Sequence, residues 1–407
     1  PDPVAIKKAV DLLLSAKRPV IVAGGGAISA NASQALRALV EKVGAAVSST
    51  WNGKGAFPED HLLSIGAVGQ TGTSCGNEIT TSADVVMSVG CRFTDWSASS
   101  YRRGSSFSIP PGKLIHIDLD HHEIGKNYPT EVGIVADAKV TLEAMVEMIS
   151  EQQSIDMLAT RDAFFAEVKE KKAVWEEQLA ARRDSTETPF TSQYPLGVLR
   201  EVMDRDSIIL AGSGNTQGAV KQTFPVYEPR THLTSGSYSP MGWAVPAALG
   251  AKLACPDKQV VAVLGDGDFM MSLPEMGTAV MNNIPAVFIV QNNSGYMSIR
   301  GGQRKFLGRH IGSEFNYHKE GGDSYSANIS EVAKNFGMEA WKVTKAEEMR
   351  PALEAALACG KPALVEVITS RSAAGPFTPG WWDFPSPAYY EPEQAAYAEG
   401  RALEQHM

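Results

Sequence analysis

Short apolar runs alternate with segments of helical spacing along most of this chain. Helical spacing over 4–16 is followed by the apolar run Pro19–Ala23, and a second helical segment follows over 30–43. Further short apolar runs lie at 83–89, 114–117, 207–210, 260–264, 286–290 and 363–367. Most are apolar on both faces, which is typical of central parallel strands that helices cover on two sides. The pattern therefore predicts an α/β fold built on parallel sheets.

Two stretches depart from this alternation and indicate the domain organisation. Residues 156–190 are rich in charged side chains and contain no glycine, which predicts a solvated helical linker. Residues 371–407 are rich in proline and aromatic side chains, and we expect a C-terminal tail there, with a helix from Glu391. This tail either closes over a site as a lid or packs for stability alone. The remaining segments, 1–155 and 191–370, are predicted to form two α/β domains, as the length of 407 residues allows.

Composition narrows the class of protein. The net charge is −9 and no basic run occurs, which excludes nucleic acid as a partner because phosphate binding needs clustered Lys and Arg. No run of about 18 apolar residues is present, so no membrane-spanning segment is predicted. The cysteines Cys75, Cys91, Cys255 and Cys359 are scattered, which favours a reducing, cytoplasmic location over a zinc site or a disulfide framework. Because the first residue is Pro1, we expect a cut, processed or incomplete chain.

Two predicted strands end in residues suited to a phosphate and a metal ion. The run 260–264 leads into Gly265-Asp266-Gly267-Asp268, and the run 286–290 leads into Gln291-Asn292-Asn293-Ser294-Gly295-Tyr296. The carboxyl ends of parallel strands are where α/β sheets bind ligands, and glycine lets the backbone approach a phosphate closely. A carboxylate, an amide oxygen and a backbone carbonyl are ligands for Mg²⁺, which takes its remaining oxygens from phosphate and water. The P-loop pattern Gly-x-x-x-x-Gly-Lys-Ser/Thr is absent, which argues against a nucleotide-hydrolysing site.

This pair of motifs resembles the thiamin diphosphate-binding motif of the acetohydroxyacid synthase and pyruvate decarboxylase superfamily. The resemblance implies thiamin diphosphate and Mg²⁺ as cofactors, with Asp266, Asn293 and the Gly295 carbonyl holding the metal. In the same family pattern, Met241 wedges between the two rings of the cofactor and the Ser239 carbonyl receives its amino group. The resemblance places the following residues around the cofactor: Ser213, Asn215, Thr216, Ser239, Met241, Gly265, Gly267, Asp268, Asn293 and Tyr296.

The N-terminal α/β segment resembles the middle domain of acetohydroxyacid synthases, which cradles FAD. The residues that would meet the flavin are Gly24, Gly25, Gly26, Arg92, Asp95, Asp118, Asp137 and Ala138. Several members of the superfamily keep this domain without a flavin, so a purely structural domain is the alternative. In either case the resemblance implies two Rossmann-like parallel-sheet domains.

The superfamily's pyrimidine-binding domain, whose glutamate activates the cofactor, has no counterpart in this chain. We therefore expect that domain to come from a missing N-terminal part or from a second chain, and we assign no catalytic residue here. In the superfamily the active site lies between two subunits, which implies a homodimer or tetramer.

The resemblance implies cleavage, and in some members ligation, of the C–C bond next to a carbonyl of a small keto substrate. Acetohydroxyacid synthases carry a gating Trp about nine residues past the motif, whereas the segment 298–304 here has none. The segment 380–385 resembles the C-terminal end of trihydroxycyclohexanedione hydrolases, and cyclohexane-1,2-dione hydrolase has a similar layout. We therefore expect a 1,2-diketone or a 2-oxo acid as substrate. An acetolactate synthase-type carboligase acting on pyruvate is one alternative, and a non-catalytic regulatory subunit is another. The candidate pocket residues are Met297, Arg300, Gln303 and Trp381.

Overall fold

The structure is a computed structural model of the chain. It describes residues 1–236, 238–318, 321–373, 394–395, 398–399 and 402. Trp381 and nearly all of the predicted tail, including the start of its expected helix at Glu391, lie outside the described residues.

The first domain is a six-stranded sheet in which every pairing is parallel. Its strand order is β3-β2-β1-β4-β5-β6, which is the order of a dinucleotide-binding α/β fold. The strands are β1 Pro19–Ala23, β2 Ala46–Ser49, β3 Ser64–Ala67, β4 Val85–Val89, β5 Lys113–Asp118 and β6 Val132–Val135.

Helices cover both faces of this sheet and enclose a separate apolar cluster on each side. They are α1 Pro3–Ser15, α2 Gly25–Ser29, α3 Ser33–Val43, α4 Ser74–Thr81 and α5 Ala138–Met148. A short 3₁₀ turn spans Ser99–Tyr101. Helix α1 begins where the Asp2 side chain accepts a hydrogen bond from the Val4 N–H at 3.0 Å, with Pro3 as its first residue, because proline needs no N–H partner there.

The glycine triplet 24–26 begins a short helix. Gly24 is the N-cap residue of α2. A side chain at Gly24 would place its Cβ 2.1 Å from the Gly90 carbonyl oxygen. The two loops that follow β1 and β4 therefore touch backbone to backbone, and only glycine fits between them.

The predicted linker is helical but packs closely against the first domain. It contains α6 Glu151–Leu158 and α7 Asp162–Arg183. Phe164 and Val168 of α7 are buried in the apolar cluster of the first domain, and the buried Arg161 side chain donates to the Leu13 carbonyl at 3.1 Å. The expectation of a merely solvated connector is therefore wrong for this face of α7, because its apolar side chains pack against the first domain.

The second domain is also a six-stranded, all-parallel sheet, with the order β11-β12-β10-β9-β7-β8. Its strands are β7 Ile208–Ala211, β8 His232–Thr234, β9 Val260–Gly265, β10 Val287–Asn292, β11 Glu339–Val343 and β12 Ala363–Ile368. Its helices are α8 Tyr194–Val202, α9 Asn215–Thr223, α10 Ala244–Ala254, α11 Asp266–Met270, α12 Glu275–Met281, α13 Met297–Leu307, α14 Ile329–Asn335 and α15 Ala346–Ala358. The predicted α/β class and the two parallel sheets are confirmed.

Strand order places the candidate motif at a crevice. The chain runs from β7 outward to β8 and then returns to β9 on the other side of β7. In such sheets, ligands bind at the carboxyl ends of the strands where the order reverses. Strand β9 also pairs with β10, with Gly265 opposite Gln291, so the two polar loops predicted from the sequence are neighbours.

Buried polar contacts join the two domains. Lys54 forms an ion pair with Glu59 and donates to the Lys221 carbonyl at 3.1 Å. The Lys221 ammonium donates to the Val68 carbonyl at 2.9 Å. Burial, together with the nearby Lys54, holds the pKa of Lys221 well below its ordinary value, because an isolated charge is costly away from water.

Replacing Gly24 with Ala should lower the free energy of unfolding by about 1–3 kcal/mol, since the new Cβ overlaps backbone atoms that cannot move aside independently. Gly250, within α10, is a matched control because a Cβ there meets nothing within 4 Å. Gly250→Ala should raise stability by roughly 0.5–1 kcal/mol. Urea unfolding followed by circular dichroism measures both, and equal effects would contradict the proposed loop contact.

Candidate functional site

The loops after β9 and β10 converge on the carboxylate of Asp266. Asp266 is 3% exposed and begins the short helix α11. Its Oδ1 accepts from the Gly267 N–H at 2.9 Å, and its Oδ2 accepts from the Gly295 N–H at 3.1 Å. Each carboxylate oxygen has two lone pairs, so both keep the capacity to bind a cation.

Asn293 supplies a second oxygen of the kind a metal ion needs. Its Oδ1 atom is buried and has no hydrogen-bond partner. A buried acceptor without a partner is costly unless a ligand satisfies it. The backbone N–H of Asn293 faces the Asp266 carboxylate, and a carboxylate together with an amide oxygen suits a hard divalent cation such as Mg²⁺. The third predicted ligand, the Gly295 carbonyl, accepts a local bond from the Met297 N–H at 3.1 Å.

Burial raises the pKa of Asp266 to about 6, even though the backbone N–H groups of Gly267, Gly295, Ser294 and Asn293 oppose this shift. Desolvation disfavours the ionised form of a carboxyl group. In the metal-free protein Asp266 therefore begins to take up a proton just below neutral pH, and a bound cation restores the charged form.

Mg²⁺ binding should therefore weaken as the pH falls through about 6, by up to tenfold per pH unit below that value, because one proton competes with the metal at Asp266. Because the pKa of Asp266 is raised, protonation of Asp266 stabilises the folded, metal-free chain. This stabilisation is lost as the pH rises through about 6. Mg²⁺ titrations in the presence of thiamin diphosphate, from pH 5 to 7.5, measure the effect.

Asp266→Asn separates this titration from that of the diphosphate itself. In this variant, whatever pH dependence remains belongs to the cofactor or to Asp268, whose pKa is also raised by burial. An identical pH profile in Asp266→Asn and the unmodified chain would contradict the assignment.

Asp268 ties three loops together. It is 3% exposed, its Oδ2 accepts from the Ser213 N–H at 2.7 Å, and its Oδ1 accepts from the Gly242 N–H. Burial raises its pKa, and these two N–H donors oppose the shift. The resemblance puts Asp268 beside the diphosphate. In the structure its side chain lies in α11, directly after β9, and acts as a clamp that binds the loop after β7 and the loop before α10 to that helix.

A hydrogen-bonded chain of polar side chains extends from this clamp. The Ser213 hydroxyl donates to the Ser239 carbonyl at 2.8 Å, the Ser239 hydroxyl donates to Gln217 Oε1 at 2.8 Å, and Gln217 Nε2 donates to Thr234. Ser239 adopts a φ of +45°, a left-handed conformation that non-glycine residues rarely adopt unless their surroundings hold them. Met241, which follows, is half-buried.

The ring of Tyr296 packs against Gly267 of the first motif. Its ring lies where a Cβ on Gly267 would stand, at 2.4 Å from Cε1. It packs edge-on against Phe315 with ring centroids 4.9 Å apart. Gly267 is thus required by the close approach of Tyr296, whatever else it contacts.

Replacing Asp268 with Asn should lower the free energy of unfolding by about 1–3 kcal/mol, because the new amide NH₂ faces one of two buried N–H donors and leaves it without an acceptor. Thiamin diphosphate binding should weaken as well, since the Ser213 and Gly242 loops lose their common anchor. Asp257→Asn, on an exposed residue of the same domain, is the control. Thermal melting and cofactor titration measure the two effects, and a variant as stable as the control would refute the clamp.

A cleft of about 1420 Å³ opens between the two domains and contains residues of both predicted sites. From the cofactor set it is lined by Ser213, Asn215 and Ser239; from the flavin set by Gly25, Gly26, Arg92, Asp95 and Asp118; and from the pocket set by Met297 and Arg300. Thr216 is buried at the start of α9. The middle-domain residues and the diphosphate-side residues thus face one shared space.

Three flavin candidates do not reach this cleft. Gly24 is packed against the loop after β4. Asp137 caps α5, where its side chain accepts from the Val140 N–H at 3.1 Å. Ala138 is the first residue of that helix and is buried. Asp118 lines the cleft, but its Oδ1 accepts from the Asp120 N–H at 3.0 Å.

One pocket candidate is placed differently from our expectation. The Gln303 side chain bonds both the N–H and the carbonyl of Ile311 at 3.1 Å, so it holds a loop and does not line the cleft. Arg300 lines the cleft and is paired with Glu314. Burial raises the pKa of Glu314, but the hydrogen bonds from Arg300 and Asn316 outweigh it, and the net pKa is lowered.

Sequence reasoning missed an aromatic wall of the cleft. The rings of Trp51 and Trp96 lie 5.7 Å apart, and the Trp51 indole donates to the Thr71 hydroxyl at 3.0 Å. Trp51 follows β2, a strand that the apolar-run analysis did not predict. Strand β2 reads Ala-Val-Ser-Ser, with a single β-branched residue, so no local pattern marked it as a strand.

Fold and site together define a two-domain α/β protein with a buried oxygen-rich site at the switch point of its second sheet. Comparison with known protein families assigns both domains. Residues 6–145 match the model of the thiamine pyrophosphate enzyme central domain, and residues 212–367 match the thiamine pyrophosphate enzyme C-terminal TPP binding domain. The two domains of this chain belong to the thiamine pyrophosphate enzyme family.

Relatives within this family carry several different names. A probable acetolactate synthase large subunit from Methanococcus aeolicus is 34% identical over 384 residues, covering 91% of this chain and 61% of that protein. A glyoxylate carboligase from Escherichia coli O157:H7 is 33% identical over 376 residues, covering 90% and 62%. A 3D-(3,5/4)-trihydroxycyclohexane-1,2-dione hydrolase from Halalkalibacterium halodurans is 30% identical over 401 residues, covering 93% and 61%. The chain spans about three fifths of the length of these relatives.

The expected closer relation to the dione hydrolases is not confirmed by these identities, which lie between 30% and 34% for all three activities. Among the described residues, no helix combines the length and apolar character needed to cross a membrane.

Proposed function

We propose that this chain is the thiamin diphosphate- and Mg²⁺-binding part of an enzyme that cleaves, and in a second mode ligates, the C–C bond next to a carbonyl. The observation that carries the proposal is the buried Asn293 Oδ1 without a hydrogen-bond partner, on a residue whose backbone N–H faces the carboxylate of Asp266. Asp266, Asn293 and the Gly295 carbonyl would hold the metal, and the loops after β7 and β9 would receive the diphosphate.

When bound, thiamin diphosphate would supply an electron sink for cleavage of the C–C bond next to a carbonyl. The chain's own contribution is to anchor and orient. Asp268 holds the Ser213 and Gly242 loops together, and Met241 stands next to Gly242, where the family pattern places the residue under the cofactor. The activating glutamate would come from a pyrimidine-binding domain, supplied by a missing N-terminal part or a second chain in a homodimer or tetramer.

Space in the cleft supports a 1,2-diketone as the substrate, with a 2-oxo acid as the other class. Gly301 and Gly302 line the cleft, and a Cβ on either would meet nothing within 4 Å. Gly302 stands nine residues past Asn293, where the resemblance noted from the sequence implies a gating Trp in acetohydroxyacid synthases. Without that side chain the cleft can admit a bulkier substrate, such as a cyclic diketone.

Two alternatives to this function differ in how well they are supported. Carboligation of pyruvate or another 2-oxo acid is supported by the relatives named acetolactate synthase and glyoxylate carboligase. A non-catalytic regulatory role is disfavoured by the presence of both Asp266 and Asn293, since a chain that had lost catalysis has no need to keep a buried amide oxygen unpaired.

FAD is a second cofactor to test, because five of the eight flavin candidates line the cleft while Gly24, Asp137 and Ala138 do not. The absorbance spectrum of the purified protein decides this directly. We also propose a reducing, cytoplasmic location, which the four free cysteines support.

Cofactor binding is the first test. Thiamin diphosphate and Mg²⁺ are added to the chain together with its pyrimidine-binding domain, and binding is measured by calorimetry, with Asp266→Ala as the matched control. We expect Mg²⁺-dependent binding that Asp266→Ala abolishes, because the metal loses its carboxylate ligand. No binding by the unmodified assembly would overturn the enzyme assignment.

The substrate test uses the same assembly with pyruvate, glyoxylate and cyclohexane-1,2-dione. We expect ring opening of the dione to be the fastest reaction, because the Gly301–Gly302 wall leaves room for it. A Gly302→Trp variant should lose dione turnover by about tenfold or more while keeping turnover of pyruvate, since one bulky group in a pocket excludes larger ligands by 1–3 kcal/mol. Acetolactate formation faster than dione cleavage in the unmodified enzyme would favour the carboligase alternative.

A further inference from the structure

Arg371 follows β12 and binds the loop that carries the candidate metal ligands. Its Nε donates to the Asn293 carbonyl at 3.0 Å, and its Nη2 donates to the Ser294 carbonyl at 2.9 Å and to the Phe315 carbonyl at 3.2 Å. One guanidinium thus fixes two consecutive peptide groups of the metal loop and joins them to the segment that covers Tyr296.

The same stretch of chain holds the preceding residue of the loop. The Thr369 N–H donates to the Asn292 carbonyl at 2.9 Å. The carbonyls of residues 292, 293 and 294 are therefore all bound by the segment 369–371, which leaves the sheet beside β10.

The peptide groups that Arg371 orients also reach the metal site. The Ser294–Gly295 peptide accepts from Arg371 through its carbonyl and donates through its N–H to Asp266 Oδ2 at 3.1 Å. Rotation of this peptide would break both bonds at once. Ser294 also has a φ of +55°, a left-handed conformation that a serine keeps only where surrounding contacts hold it.

The fork of the guanidinium matters as much as its charge. Arginine offers N–H donors in a rigid plane, whereas the ammonium of lysine is a single point of charge that cannot span three carbonyls. Glu314 lies 3.7 Å from Arg371 Nη1 and is itself bound to Arg300. This carboxylate partly balances the positive charge close to a site for a divalent cation.

We propose that Arg371 is a positioning residue for the metal site: its fork sets the peptide planes of 293–295, and through them the placement of the Asn293 oxygen and the Gly295 carbonyl. This inference rests on the proposed cofactor function. It predicts that Mg²⁺ affinity depends on a residue that does not contact the metal.

The test compares Arg371→Lys and Arg371→Ala with Arg350→Ala, a control that removes an exposed arginine of the same domain. Mg²⁺ is titrated at saturating thiamin diphosphate, using the assembly with the pyrimidine-binding domain. Both Arg371 variants should bind Mg²⁺ about 10–100-fold more weakly, as is usual when a group that orients metal ligands is lost, and Arg350→Ala should match the unmodified protein. Millimolar guanidinium, at non-denaturing concentration, should partly restore Arg371→Ala, and ammonium should not.

A second readout needs no cofactor. Amide hydrogen exchange in the peptide that contains 293–296 should be faster in metal-free Arg371→Lys than in the unmodified chain, with unchanged exchange in β9. If Arg371→Ala does not fold, Arg371→Lys decides the question.

The outcomes are distinct. Unmodified protein that binds no thiamin diphosphate contradicts the proposed function. Unmodified protein that binds normally, while Arg371→Lys retains its Mg²⁺ affinity, overturns the positioning role, because charge alone would then suffice.

Discussion

The parallel pairing of β9 with β10 is the contact on which the candidate site depends. Its register sets Gly265 opposite Gln291, so that Asp266 and Asn293 emerge at the same edge of the sheet. A shift of one residue in either strand would turn that strand's side chains to the opposite face and displace the residue that follows the strand. The apolar residues of both strands are fully buried, which fixes the register and therefore the site.

Burial prepares the polar groups of this site to bind a ligand, and it also costs free energy while they are unliganded. Asp266, Asp268 and the unpaired Asn293 oxygen are held away from water, where each is less stable than on the surface. Backbone N–H groups from neighbouring loops offset part of this for the two carboxylates. Asn293 has no such donor, and its oxygen remains available to a ligand. The arrangement is that of a site already formed for a charged ligand.

Sequence patterns predicted the central strands well because those strands are continuous apolar runs. Strands such as β8 His232–Thr234 and β11 Glu339–Val343 were missed, since they are short or only half-buried and carry polar residues. The candidate metal-site residues could be proposed from two local motifs, each at the end of a predictable strand. Arg371 could not, because its partners lie at 293, 294 and 315, and no local pattern links an arginine to carbonyls so distant in sequence. Gln303 was misplaced for the same reason: its partner Ile311 belongs to a loop without a pattern of its own.

The buried amine of Lys221 couples the contact between the two domains, here called the seam, to the binding of a proton. Its pKa is held well below the ordinary value while the seam is closed, and exposure to water would restore that value. Opening the seam therefore takes up a proton. Between the lowered pKa and the ordinary one, each rise in pH tightens the junction, and acid loosens it. The shared cleft has walls from both domains, so Lys221 belongs to the buried contact that holds those walls together, although it does not itself line the cleft.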